Sequence, residues 1–105
     1  LIKTNPCMVF SQSTCPFCVK AKNLLITELG ATVKVVELNL DKELGYPIRA
    51  ELGKRTGRTS VPSVWIGGKF VGGCNDGPMG GVMTLNRENT LVPMLVKAKA
   101  LKLKK

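Results

Sequence analysis

The order of apolar and polar residues along the first forty positions predicts a strand, a helix and a second strand. Residues 7–11, CMVFS, form a short apolar run typical of a buried strand. From Cys18 onward, apolar residues recur on one face of a predicted helix: Ala21, Leu25 and Leu29. Gly30 then ends the pattern as a C-cap glycine, and the β-branched residues of 32–40 predict the next strand. This βαβ arrangement predicts that the two strands are parallel.

The middle of the chain predicts a second helix and a hairpin. Residues 41–57 have helical character, with a weak start near Pro47. In residues 61–73, two apolar runs flank Gly67 and Gly68, which are a strong signal for a two-residue turn. We therefore expect an antiparallel hairpin over this stretch.

The last part of the chain predicts a glycine-rich loop over 75–81 and a helical region over 82–101. Pro93 lies inside that region, so either two short helices meet there or one helix starts there. The predicted order is β-α-β-α-β-β-α. We expect one domain over residues 1–105, with a small mixed sheet that carries helices on both faces.

Composition narrows the classes of protein. The chain has 105 residues, 44% of them hydrophobic, and a net charge of +9. No apolar stretch approaches the roughly 20 residues of a membrane helix, and the start lacks the pattern of a signal peptide. Five basic residues lie in 97–105; we interpret them as a solvated helix end, with an anionic partner as the alternative. Since there is one Trp and one Tyr, base stacking is disfavoured, and we expect no nucleic acid or membrane partner.

The four cysteines, Cys7, Cys15, Cys18 and Cys74, indicate a redox pair better than a metal site. A structural zinc site needs four ligands, but the chain has no histidine and a single C-x-x-C, so we expect no metal. The spacing also lacks the dense pattern of secreted disulfide-rich domains. A reducing compartment with one reactive pair is therefore expected.

The pair Cys15 and Cys18 lies where the first strand passes into the first helix, with Pro16 in the first turn. Unpaired N–H groups at a helix start favour a thiolate, and such positions lower a cysteine pKa from about 8.5 toward roughly 3.5–7.5. Cys18 follows one turn later, at a spacing that can meet disulfide geometry. The competing interpretation is an inert pair on a helix face.

Three motifs in this order and spacing resemble those of the dithiol glutaredoxins of the thioredoxin-like superfamily: CPFC (15–18), TSVP (59–62) and GGCND (72–76). The resemblance covers nearly the whole chain. It implies an α/β thioredoxin-like fold with a four-stranded mixed sheet in the order 2-1-3-4. It also implies an enzyme that reduces glutathione mixed disulfides and protein disulfides. Cys15 would attack, and Cys18 would resolve the mixed disulfide.

The same resemblance implies a site for glutathione as co-substrate, formed by Gln12, Phe17, Arg49, Ser60, Val61, Pro62, Gly73, Cys74, Asn75 and Asp76. The Val61–Pro62 bond is expected to be cis, so that glutathione can pair with the Val61 backbone as an added strand. The N–H groups of Asn75 and Asp76 would hold the γ-glutamyl carboxylate. The Asp76 carboxylate would pair with the ammonium group, and Phe17 would form an apolar wall.

Several positions depart from the family pattern. Gln12 stands where many members have a lysine, and Arg49 stands where many have a glutamine, so the hypothesis is that the cation has moved. Ser60 replaces the usual threonine. The loop 77–81 is longer than usual, so a larger glutathione conjugate is conceivable as co-substrate. Cys74 is expected to pack as a small buried residue, with regulatory oxidation or a glutathione adduct as the alternative.

The expected partners are glutathione and glutathionylated or disulfide-bonded proteins, and the expected state is a monomer. The alternative function is a dimer that holds a 2Fe–2S cluster between the first cysteine of each subunit and two glutathiones. Pro16 disfavours this alternative within the family. We expect a cytoplasmic location, with an organelle, after removal of a leader, as the alternative.

Overall fold

The computed structural model describes residues 4–40 and 42–101. Its sheet contains four strands: β1 (Cys7–Ser11), β2 (Lys34–Glu37), β3 (Ser63–Ile66) and β4 (Lys69–Gly72). Their order is β2-β1-β3-β4, which confirms the predicted order 2-1-3-4. β1 pairs with β2 in parallel and with β3 antiparallel, and β4 completes the hairpin with β3.

The helical segments within the described residues are α1 (Pro16–Lys22), a π-helical continuation (Asn23–Glu28), α2 (Lys42–Thr56), α3 (Gly81–Arg87) and α4 (Leu91–Lys97). Leu29 is the C-cap of the π-helical segment, and Gly30 follows with a φ of +71°. Glycine adopts this left-handed conformation without a Cβ penalty, which is why the first helix ends where the sequence predicts. No helix of the described residues is long and apolar enough to cross a membrane.

The two faces of β1 form two separate cores. Cys7 and Val9 pack into the larger cluster, which also holds buried residues of α1, α3 and α4. Met8 and Phe10 point to the other face and pack in a smaller cluster with Leu52 of α2. A central strand covered on both faces is apolar at successive positions, which explains the unbroken run in the sequence. The end of β1 is thereby fixed between two packed layers.

Three predicted elements differ in their boundaries. α2 begins at Lys42, so the predicted start near Pro47 was wrong by five residues, and the proline lies inside the helix. The last helical region breaks before Leu91, where Asn89 has a φ of +59°, and not at Pro93. Pro93 occupies the first turn of α4, where the missing N–H leaves no intrahelical bond unmade. The strand predicted over 32–40 is also shorter, as β2 shows.

A pair of neighbouring residues tests the larger core. Leu25 is fully buried, whereas Ile26 beside it is 43% exposed. We expect Leu25→Ala to lower the free energy of unfolding by about 2–5 kcal/mol, because it removes buried methyl groups and leaves a cavity. Ile26→Ala should lower it by about 1 kcal/mol or less. Urea denaturation of both variants measures the difference, and equal losses would contradict this core.

Candidate active site

Cys15 is held at the junction of β1 and α1 by the backbone. It is the N-cap of α1, with φ −86° and ψ 120°, and Pro16 follows as the first helical residue. Its N–H donates to the carbonyl of Gln12 at 2.9 Å, and its own carbonyl accepts from the N–H of Val19 at 3.1 Å. These bonds fix the start of the helix, so the Cys15 sulfur is presented at the edge of the fold, half-buried.

The surroundings of Cys15 favour its thiolate. Burial disfavours the charged form, but this effect is outweighed. The backbone N–H groups of Cys18 and Phe17 and the Cys18 thiol act on the sulfur as hydrogen-bond donors that lower its pKa, and the ammonium of Lys22 adds a favourable charge. Together they hold the pKa of Cys15 below its ordinary value. The ammonium of Lys22 also forms an ion pair with Glu37 at 2.8 Å, so its positive charge is shared between the Glu37 carboxylate and the Cys15 sulfur.

Cys18 has the opposite environment. It is fully buried, and burial is the largest cause that raises the pKa of its thiol above the ordinary value. The nearby Cys15 raises this pKa further, although the N–H of Gln12 donates to the Cys18 sulfur at 3.4 Å and opposes the effect. Both cysteines are free thiols. The pair therefore combines an accessible thiolate with a buried neutral thiol one turn away.

A pocket of about 170 Å³ lies beside the pair, lined by Phe17, Val61, Pro62, Cys74, Asn75 and Asp76. All six belong to the site predicted from the sequence. The Val61–Pro62 peptide bond is cis, as predicted. Phe17 is 54% exposed, which fits an apolar wall that is open to a ligand. Residues distant in sequence thus meet at one pocket, next to the start of α1.

Backbone hydrogen bonds fasten the loop after β4 to α3. The N–H of Gly73 donates to the carbonyl of Asp76 at 2.9 Å. The N–H of Val82 donates to the carbonyl of Gly73 at 3.0 Å. The N–H of Met83 donates to the carbonyl of Cys74 at 2.8 Å. The first turn of α3 therefore fixes this wall of the pocket.

The long loop 77–81 folds back onto the same wall. Gly81 has a φ of +83°, and a Cβ there would lie 2.7 Å from the Gly73 carbonyl oxygen and 2.8 Å from the Asp76 nitrogen. These distances leave no room for a side chain, so this glycine is required by close approach as well as by conformation. The end of this loop thus packs against the predicted ligand groups.

The other predicted residues lie outside the lining of this pocket. Gln12 contributes its backbone to both cysteines, and its side chain is half-buried. Ser60 is exposed, and its hydroxyl accepts a hydrogen bond from Arg58 at 3.3 Å. Arg49 lies on α2, half-buried, and its Nε is buried without a hydrogen-bond partner among the described residues. A ligand role for Arg49 stays a prediction.

Arg58 is the cation that the sequence analysis missed. Its Nη2 lies 2.8 Å from Oδ2 of Asp76, so the guanidinium ties the segment before the cis-proline to the GGCND loop. Asp76 is 67% exposed within this pair, which leaves the carboxylate accessible. The position of Arg58, two residues before Ser60 in the TSVP motif, was the available signal.

These observations define the class of protein: a thiol–disulfide oxidoreductase with the thioredoxin-like arrangement of sheet, cysteine pair and cis-proline. The comparisons with known proteins identify the family. Residues 7–71 match the family model described as glutaredoxin. A glutaredoxin of Solanum lycopersicum is 45% identical over 101 residues, which cover 96% of this chain and 87% of that protein.

Solved structures agree. The buckwheat glutaredoxin–glutathione complex has 39% sequence identity and a TM-score of 0.87, covering 97% of this chain and 86% of that one. The holo form of glutaredoxin C1 from Populus tremula × tremuloides has 37% identity and a TM-score of 0.84, covering 100% and 88%. The chain belongs to the glutaredoxin family, and its activity is glutathione-dependent thiol–disulfide exchange. The family and fold predicted from the sequence are confirmed.

The directions of the pKa shifts predict how the alkylation rate of each cysteine depends on pH. Because its pKa is lowered, Cys15 should remain ionised, and be alkylated by iodoacetamide, at pH values where an ordinary thiol is protonated. Burial raises the pKa of Cys7 to about 12 and also raises that of Cys18, so both should stay protonated. Peptide-resolved mass spectrometry of the reduced protein measures each rate. If the midpoint of the pH dependence of Cys15 alkylation lay at or above that of a free thiol, the predicted thiolate at Cys15 would be wrong.

Proposed function

We propose that Cys15 is the nucleophile and Cys18 the resolving thiol in the reduction of glutathione mixed disulfides and of disulfide-bonded proteins. The observation that carries the proposal is the asymmetry of the pair. One sulfur is accessible and favoured as a thiolate, whereas the other is buried and favoured as a thiol. Since the thiolate is the attacking species, attack starts at Cys15.

In the first reaction, the Cys15 thiolate attacks the glutathione sulfur of a mixed disulfide. The new bond joins Cys15 to glutathione, the old disulfide breaks, and the target leaves as a thiolate that takes up a proton. A second glutathione thiolate then attacks the glutathione sulfur on Cys15. This releases glutathione disulfide and restores the Cys15 thiolate, which its hydrogen bonds make a good leaving group.

With a protein disulfide, Cys15 forms a mixed disulfide with the target. Cys18 then attacks the Cys15 sulfur, the target leaves reduced, and a Cys15–Cys18 disulfide remains. Two glutathione molecules reduce this bond. The spacing of one helical turn supports the step, since it allows disulfide geometry without movement of the sheet.

We propose that glutathione lies extended in the pocket, with its cysteine residue paired to the Val61 backbone. Its γ-glutamyl carboxylate would meet the N–H groups of Asn75 and Asp76. Its ammonium would meet the accessible Asp76 carboxylate, and Arg58 would supply a positive charge for a carboxylate. The lining residues and the Arg58–Asp76 pair support this orientation. Plain glutathione is proposed as the co-substrate, and the long loop leaves a larger conjugate as the alternative.

The protein partners are proposed to be glutathionylated or disulfide-bonded proteins in the cytoplasm, acted on by a monomer. The cluster-binding dimer stays a separate prediction from the resemblance. The described residues of one chain place no three His, Cys, Asp or Glu side chains together for a metal ion, so a cluster would need ligands from elsewhere. Anaerobic reconstitution followed by absorption spectroscopy tests it.

Substitution of each cysteine tests the proposed roles. Cys15→Ser should abolish turnover of a glutathionylated peptide and of a protein disulfide, because no nucleophile remains. Cys18→Ser should retain most of the first activity and lose most of the second. Turnover is measured by coupling to glutathione reductase, with Cys7→Ala as the control for a cysteine outside the pair. Equal loss of both activities in the two variants would contradict the scheme.

Substitution of Arg58 tests the orientation of glutathione. Glutathione carries two carboxylates and one ammonium, so removal of a cation should weaken its binding. We expect Arg58→Ala to raise the KM for a glutathionylated peptide by about two- to tenfold, as the loss of a partly exposed charge implies, with little change in kcat.

Arg55→Ala is the matched control, because Arg55 pairs with Glu51 on the exposed face of α2. Arg49→Ala tests the cation named in the sequence analysis. An effect of Arg49→Ala without an effect of Arg58→Ala would reassign the role to Arg49.

A further inference from the structure

A buried serine at the end of β1 has no explanation in the fold. Ser11 is fully buried, and its hydroxyl has no hydrogen-bond partner among the described residues. Its backbone is used, since its carbonyl accepts from the N–H of Leu38 at 2.8 Å. An unpaired buried hydroxyl destabilises a fold, and an alanine would fill the same position without that penalty. The serine side chain therefore suggests a chemical use.

Ser11 lies on the same face of β1 as Cys7 and Val9, and that face packs against the helical segment in which Cys18 is fully buried. The Ser11 side chain lowers the pKa of Cys18, as a hydrogen-bond donor does, although its hydroxyl does not reach hydrogen-bond geometry in the resting structure. A hydroxyl hydrogen rotates freely about its C–O bond, so it can turn toward a sulfur that becomes charged. The next residue, Gln12, already donates its N–H to the same sulfur at 3.4 Å. Donors of two consecutive residues thus meet at one buried thiol.

We propose that Ser11 is a positioning residue for the resolving step: with the Gln12 N–H, its hydroxyl holds the Cys18 sulfur as negative charge develops on it. The proposal rests on the proposed function, because it assumes that Cys18 attacks a mixed disulfide on Cys15. It goes beyond that function by naming the group that makes attack by a fully buried thiol feasible.

The charges around Cys18 change at the moment when the donors matter. In the free enzyme, the Cys15 thiolate opposes ionisation of Cys18. Once Cys15 is in a mixed disulfide, that charge is gone. Burial then raises the pKa of Cys18, and the Ser11 and Gln12 donors lower it. Lys22, paired with Glu37, is the cation that acts on Cys15. The balance at Cys18 in the intermediate is therefore set by burial against two hydrogen bonds.

The Cys18 thiol gives up its proton, and its electron pair forms the bond to the Cys15 sulfur. The bond between Cys15 and the target sulfur breaks, and its electron pair leaves with the target, which takes up a proton. Cys15 and Cys18 end oxidised as a disulfide, and the target ends reduced. Ser11 keeps its proton throughout, since it acts by hydrogen bonding.

The experiment follows formation of the Cys15–Cys18 disulfide in a single turnover. Reduced protein is mixed with a small protein disulfide at pH values across the neutral and alkaline range, and quenched samples are resolved by mass spectrometry. We expect Ser11→Ala to slow conversion of the mixed disulfide by about three- to tenfold, the range for one lost hydrogen bond of ordinary net strength, and to shift the pH profile to higher pH. In a Cys15→Ser background, the same change should raise the pKa of Cys18.

Stability separates this role from a structural one. Because the Ser11 hydroxyl is unpaired, Ser11→Ala should unfold at the same urea concentration as the parent or a higher one. The matched control is Ser63→Ala, on the adjacent strand, where the hydroxyl accepts from the Trp65 indole at 3.1 Å. That variant should lose stability and keep the resolving rate and its pH profile.

An unchanged rate and pH profile in Ser11→Ala, beside normal disulfide formation in the parent, would overturn the role of Ser11 alone. Failure of the parent to form the Cys15–Cys18 disulfide would overturn the resolving function and this proposal together. A slower rate that accompanies lower stability, with no change of pH profile or of the pKa of Cys18, would also overturn it. Formation of the Cys15–Cys18 disulfide in the parent therefore distinguishes failure of the Ser11 proposal from failure of the resolving function.

Discussion

The backbone of one residue ties both reactive sulfurs to the end of the central strand. The carbonyl of Gln12 accepts from the N–H of Cys15, and its N–H donates to the sulfur of Cys18. These two bonds fix the start of α1 relative to β1 without any contribution from the Gln12 side chain. The placement of the pair therefore tolerates the change from the lysine common in the family. That change removes a positive charge, and Lys22 supplies one from the last turn of α1.

This junction is rigid because β1 is packed on both sides. Residues of β1 alternate between the two clusters, so any shift of the strand end would disturb both. The pair then sits where the packed layers stop, so that Cys15 reaches solvent while Cys18 stays inside. The difference in burial over three residues follows from this position. Deep burial raises the pKa of Cys18, whereas at Cys15 the nearby donors and Lys22 outweigh burial and lower the pKa.

Local signals explain what the sequence could predict. Pro16 and Gly30 bound the first helical region, and the Gly67–Gly68 turn fixes the hairpin, because each constrains its own backbone. The start of α2 and the break at Asn89 were mispredicted. A left-handed asparagine is weakly signalled in sequence, and a proline near a helix start does not show on which side of it the helix begins.

The pocket likewise contains residues that the sequence predicted and one that it did not. Its lining residues could be named because three motifs carry them at family spacing. Arg58 was missed although it directly precedes the TSVP motif, because its partner Asp76 lies 18 residues away and the ion pair depends on how the segments before β3 and after β4 fold. The departure at Arg49 drew attention to a helix, whereas the cation that contacts a predicted ligand group lies in the segment before the cis-proline. Ion pairs between loops form only in the folded structure and produce no periodic pattern in the sequence.

The two cysteines near the pocket, Cys15 and Cys74, differ in how strongly their thiolate forms are favoured. Cys74 lies in the pocket wall, but burial raises the pKa of its thiol, and the negative charges of Asp76 and Cys15 raise it further against the opposing charge of Lys20. Ionising one thiol thus disfavours ionising the other across the same cavity. Because an exchange reaction needs a thiolate, the favoured nucleophile for a disulfide that enters the pocket is Cys15, and Cys74 is buried, as the packing interpretation predicts. Burial, reinforced by the charges of Asp76 and Cys15, therefore disfavours the thiolate of Cys74 where the surroundings of Cys15 favour one.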